Sequence, residues 1–109
     1  MAYDKAIAQR VREVLTESPD VTEKKMFGGI AFLLRGNMCC GVMGDRLMLR
    51  VGSKEYESAL SRPHARKMDF TGRPLKGFVY VDPPGFASDV DLRTWTARAT
   101  GFVLSLPAK

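Results

Sequence analysis

The sequence predicts an α+β domain, and three observations carry that reading: an amphipathic helical pattern at each end, a run of short apolar strands divided by glycine turns, and a second strand pair ahead of the last helix. Sequential strands with short connections point to a two-layer, mainly antiparallel sheet of five strands. The expected order is helix, three strands, helix, two strands, helix. The stretch 26–51 is rich in apolar residues, 16 of its 26, and carries no convergent His, Asp, Glu or Ser.

The first helix is read over 4–17. Ile7, Val11, Val14 and Leu15, with Tyr3 a turn earlier, fall at the spacing of one helical face, while Lys5, Gln9, Arg10, Arg12 and Glu13 take the other positions. Ser18-Pro19-Asp20 closes it, because the residue before proline is pushed out of helical dihedrals. Three strands follow. A two-residue Gly44-Asp45 loop sets Val42 opposite Leu47, Cys40 opposite Leu49 and Met38 opposite Val51. Treating Gly36-Asn37 the same way puts Leu33 beside Cys40 and Ala31 beside Val42, so this face packs on the helices. The opposite face then carries Ile30, Phe32, Leu34, Met43 and Met48 beside Arg46 and Arg50. A sheet apolar on both sides needs a cover, so this second face is expected to meet a protein partner, a second copy in a homodimer, or a segment of the chain.

A short second helix is read over 53–60, capped by Ser53 with Tyr56, Ala59 and Leu60 inward and ended by Pro63. Met68 and Phe70 alternate with Lys67 and Asp69 in an edge strand over 66–70, and Thr71-Gly72-Arg73-Pro74 is a turn. Gly77-Phe78-Val79-Tyr80-Val81-Asp82 is the strongest strand of the second half, stopped by Pro83-Pro84-Gly85. The last helix begins at Ser88, with Asp89 and Asp91 in the first turn where the dipole favours negative charge. Leu92, Trp95, Ala99, Phe102, Val103 and Leu106 form its stripe. Gly101 within it costs about 1 kcal/mol relative to alanine, which points to a close backbone contact or a bend.

At 109 residues, 45% of them hydrophobic and 27% charged, the chain is read as one domain spanning 1–109. A chain of this length buries roughly two-thirds of its unfolded surface and folds without metal or disulfide. The two cysteines are adjacent, so on a strand they point to opposite faces and bridge poorly. Unbridged cysteines fit a reducing, cytoplasmic compartment. No secretory leader pattern or membrane span is read, and no membrane partner is expected. The net charge of +5 leans toward anionic partners.

Lys25-Met26-Phe27-Gly28-Gly29, the Gly-Asp hairpin leading into Leu47-Met48-Leu49-Arg50, and residues 70–81 from Phe70-Thr71-Gly72-Arg73-Pro74 to Tyr80-Val81 resemble, in order and spacing, the N-terminal domain of the TfoX/Sxy family. The resemblance spans about 11–106. It implies a fold grouped with the secretion-chaperone-like folds, no known active site, and a relation to regulators of natural competence, held to act with the cyclic-AMP receptor protein at certain promoters. The chain is expected to be a stand-alone form without the C-terminal helical domain of those regulators.

Few residues invite chemistry. Gly28-Gly29 leads into a strand without a Gly-Lys-Ser/Thr ending and reads as a bulge or bend, not a phosphate loop. Cys39-Cys40 lacks metal-ligand spacing; packing is its default role, with oxidant sensing by Cys39 near Arg50 as the alternative. His64 reads as a solvated loop residue, since no nucleophile is tied to it. Neither a metal nor a cofactor is expected, and the chain is not expected to be an enzyme. The remaining candidates are basic: Lys24, Lys25, Arg46, Arg50, Arg66, Lys67, Arg73 and Lys76, which would contact a partner or phosphates if they shared one surface. A regulatory or adaptor domain acting through protein contacts is the first functional expectation. Direct nucleic-acid binding is the second and a small-ligand carrier or enzyme the third.

Overall fold

The computed structural model describes residues 3–16, 18, 20–26, 28–68 and 76–107. Phe70, the 71–74 turn with Arg73, and Pro19 lie outside them. Helix α1 (Lys5–Leu15) begins at Asp4, whose carboxylate accepts from the N–H groups of Ala6 and Ile7. Six strands follow in one antiparallel sheet: β1 (Val21–Met26), β2 (Gly29–Leu34), β3 (Asn37–Met43), β4 (Arg46–Arg50), β5 (Ala65–Lys67) and β6 (Phe78–Val81), in the spatial order β1-β2-β3-β4-β6-β5. Helix α2 (Tyr56–Leu60) precedes β5, a 3-10 turn (Pro83–Phe86) follows β6, and α3 (Asp89–Leu104) comes last. The α+β class and the order of helices hold, with one strand more than expected.

That extra strand is β1. Its Thr22-Glu23-Lys24-Lys25 run offers no apolar alternation and is rich in residues depleted from strands. It sits at the sheet edge, where lysines discourage pairing with a further strand. Its partner register is Glu23 opposite Phe32 and Lys25 opposite Ile30.

The β3–β4 hairpin has the expected register at Val42 opposite Leu47 and Cys40 opposite Leu49, but the third expected pair is not formed: Val51 enters the main core and Met38 packs on the other face. The β2–β3 hairpin does not. Its turn is Arg35-Gly36, both at positive φ (55° and 82°), and Leu34 pairs with Asn37 and Leu33 with Met38 before the ladder slips. Beyond the slip Phe32 pairs with Cys40 and Ile30 with Val42, leaving Cys39 as the extra residue of a β-bulge. Moving the turn alone shifts the pairing by two residues and keeps the faces; the bulge then shifts it by one and exchanges the faces of β2, because side chains alternate with period two. Ile30, Phe32 and Leu34 therefore join Cys40, Val42, Leu47, Leu49, Val79 and Val81 in the main core.

All three helices cover this one face: α3 lies across β2, β3 and β4, α1 packs on β3 and α3, and α2 on β5 and β6. From α3, Leu92, Trp95, Ala99 and Val103 enter the core, as its stripe requires. Ser88 caps α3 by accepting from the Asp91 N–H. Ser53 caps nothing, since α2 starts three residues later at Tyr56. Gly101 has open space where a side chain would stand, so the close contact expected of it is absent. The demanding glycine is Gly52, at φ 86°, where a Cβ would lie 2.4 Å from the Phe102 ring of α3.

Candidate partner-binding face

The outer sheet face is built by alternation. Opposite the core residues, β4 presents Arg46, Met48 and Arg50; β6 presents Phe78 and Tyr80; β3 presents Met38 and Met43; β2 presents Leu33; and β1 presents Lys24. Met48, Tyr80 and Met68 form a second, small cluster here, with Met38, Met43 and Phe78 packed around it. Met68, just past the edge strand, is 4% exposed. A chain residue thus supplies part of the cover that the sheet was expected to need.

Arginines cap the aromatics. The Arg46 guanidinium stands 4.7 Å from the Tyr80 ring centre, and Arg50 lies 5.7 Å from Phe78 and 5.6 Å from Phe102. Such stacking keeps the charge hydrated at its edge while the apolar stem covers methionine and tyrosine. Arg66, opposite Tyr80 on β5, donates to Asp82 at 2.9 Å. Among the described residues, the outward positions of the six strands carry no carboxylate, Glu23 of β1 being turned to the helix side, so Lys24, Arg46 and Arg50 give this face a positive field.

Of the sequence-derived candidates, Lys24, Arg46, Arg50, Arg66, Met43 and Met48 share this face. The register turns Lys25 and Lys67 to the helix side, opposite Ile30 and Val79, while Lys76 is exposed ahead of β6. Ile30, Phe32 and Leu34 leave the candidate face: they are 5%, 0% and 1% exposed beneath the helices. The reading missed Tyr80, Phe78 and Met38, although the Phe-Val-Tyr-Val alternation of β6 already separates two aromatics from two core valines.

The other groups that drew attention have ordinary settings. Cys39 and Cys40 are both buried in the main core, brought to one side by the bulge. The Cys40 thiol is pushed well above its usual range, first by its hydrogen bond with Cys39 and then by burial. A protonated, inaccessible thiol is a poor nucleophile, and Cys39, 1% exposed, lacks the access an oxidant sensor needs. Gly28, at φ 76°, is in the turn between β1 and β2, before a strand and not a helix. Asp89 meets Arg10 at 3.5 Å in the first turn of α3. On the helix side, Arg12 grips Glu23 with a two-pronged hydrogen bond, one prong at 2.8 Å. That bond, more than the charge attraction, holds the Glu23 carboxyl below its usual range. Among the described residues, no group of His, Cys, Asp and Glu is arranged to hold a metal ion, and no helix is long and apolar enough to cross a membrane.

A family model described as the TfoX N-terminal domain matches residues 13–103. The chain belongs to the TfoX N-terminal domain family. This match covers all six strands, nearly all of α3 and the last turn of α1, so the family resemblance read from the glycine and aromatic motifs holds across the sheet and the helix that crosses it. Comparison of this TfoX N-terminal domain with curated proteins and with solved structures finds no significant match.

Proposed function

We propose that this TfoX N-terminal domain is a small non-enzymatic adaptor of the competence-regulator type, acting in the cytoplasm by docking its outer sheet face on a protein of the transcription machinery. Family membership over 13–103 is the observation that carries the reading. The chemistry of the face supports it. Unbranched, polarizable methionines adapt to a partner's shape, and arginine beside aromatic rings is the composition enriched at protein interfaces. Affinity capture from a native extract tests it: the intact domain recovers a transcription-related protein, and the folded Arg46→Glu variant does not. Recovery of none by the intact domain rejects the reading.

Arg46 and Arg50 beside Phe78 and Tyr80, with Lys24 and Arg66 at the two edges of the same face, favour one second reading, direct nucleic-acid binding. It requires an affinity that falls steeply with salt and weakens on charge reversal at Arg46 and Arg50. Absence of binding to duplex and single strands at low salt removes it. A homodimer would use the same face, and sedimentation mass decides that use.

A further inference from the structure

Residues 62–65 form a tight turn between α2 and β5, closed by the Ala65 N–H donating to the Arg62 carbonyl at 3.3 Å. Pro63 stands second and His64 third, with φ 67°. This is the pattern of a type II turn, whose third position is suited to glycine and strained for any side chain. Gly85 lies opposite, and a Cβ there would come within 3.0 Å of the His64 Cβ and 2.6 Å of Val81. The chain therefore carries a histidine where glycine is favoured, and a glycine where a side chain would press on Val81 and on the His64 Cβ.

His64 lines a cleft of about 270 Å³ together with Arg62, Pro63, Pro84, Asp91 and Trp95. The indole is fixed by Arg98, which stacks at 5.4 Å and reaches Glu55 at 3.8 Å. Among the described residues, Arg62, His64 and Asp91 have no ion-pair partner. Two groups able to hold an anion thus share a mostly polar cleft with one carboxylate and with an apolar side formed by Pro63, Pro84 and Trp95.

We propose that this cleft binds a small monocarboxylic acid with an aromatic or aliphatic body. Arg62 and His64 take the carboxylate, the geometry for which guanidinium is suited. Pro63, Pro84 and Trp95 pack the body. Asp91 repels a second negative charge, which discriminates against phosphate, and accepts from a hydroxyl or amine on the ligand. The site shares no residue with the outer sheet face and stands separately from the adaptor reading.

Backbone amide NMR titration of the full chain tests it, with acetate, benzoate and indole-3-acetate as probes, benzamide as the neutral comparison and inorganic phosphate as the dianion. Saturable shifts at Arg62, His64, Gly85 and the Trp95 indole N–H are expected with benzoate or indole-3-acetate, and benzamide and phosphate are expected to bind more weakly. Arg62→Ala weakens binding about tenfold, the loss of one charge-assisted contact. His64→Gly weakens binding yet raises the melting temperature, because glycine relieves the turn, so its lost affinity is not unfolding. Lys54→Ala leaves binding unchanged. No saturable shift with any carboxylate, equal binding of benzamide, tighter binding of phosphate, or an unaffected Arg62→Ala variant would each overturn the proposal.

Discussion

The two faces of this sheet are made by alternate residues of the same strands, yet they are finished differently. At its centre the inner face is Phe32, Leu34, Leu47, Leu49, Cys39, Cys40, three valines and Ile30, buried beneath three helices. The outer face is methionine, tyrosine and phenylalanine under arginine, with Met38, Met43 and Phe78 only partly buried. Branched and ring side chains in few rotamers give a core that tolerates little change. Methionines under stacked guanidinium groups give a surface that is covered without being sealed. The contrast sets a sealed core against a covered surface, the one proposed to dock a partner, and the following substitutions break or sharpen it.

The largest effect is expected at Phe32. Phe32→Ala should cost about 3–5 kcal/mol in urea unfolding, the range for emptying a packed aromatic site. A cost no greater than that of an outer-face methionine would break the comparison. Cys40→Ser puts a hydroxyl where the thiol has only Cys39 as partner, and about 1–3 kcal/mol should be lost. In the unaltered protein a thiol reagent at neutral pH should leave Cys40 unmodified until denaturant is added, because the thiol is buried and its raised pKa keeps the reactive thiolate scarce. Met43→Ala, on the half-buried side, should cost about 1 kcal/mol.

The smallest effect is at the sheet edge. Glu23→Gln should lower stability by about 0.2–1 kcal/mol, since both partners of its pair with Arg12 are partly solvated. The folded state holds Glu23 below its ordinary value, so its contribution is fully present above the unfolded glutamate range near pH 4.3 and fades as pH falls below it. Wild-type and Glu23→Gln melting curves should accordingly converge on acidification, and a gap that widens instead would contradict the assignment.

Helix stripes, the Ser88 start of α3 and the Gly44 hairpin register were legible because each rests on local chemistry: spacing, a side-chain acceptor, a two-residue turn. Strand β1 was hidden by charge, since Glu23, Lys24 and Lys25 mark an edge as readily as a loop. The error on β2 came from one residue. The turn uses Arg35-Gly36, and Cys39 bulges out of the ladder; no propensity announces a bulge in Asn-Met-Cys-Cys-Gly, and tertiary packing of Phe32 under α1 and α3 decides it. For the binding face, Arg46, Arg50, Met43 and Met48 were readable from β4 and its hairpin, whose register was right. Tyr80 and Met68 belong to it through the pairing of β6 with β4, a contact about thirty residues apart in sequence that no local pattern encodes.

The most direct test of the division between faces compares the intact domain with Arg46→Glu in quantitative capture from a native extract, after nuclease treatment, alongside thermal melting of both. The account predicts that the variant melts within a few degrees of the intact domain, as expected for a change of about 1 kcal/mol at a surface stack, and loses the transcription-related protein. Undiminished capture by the variant, or capture that disappears with nuclease alone, would contradict it.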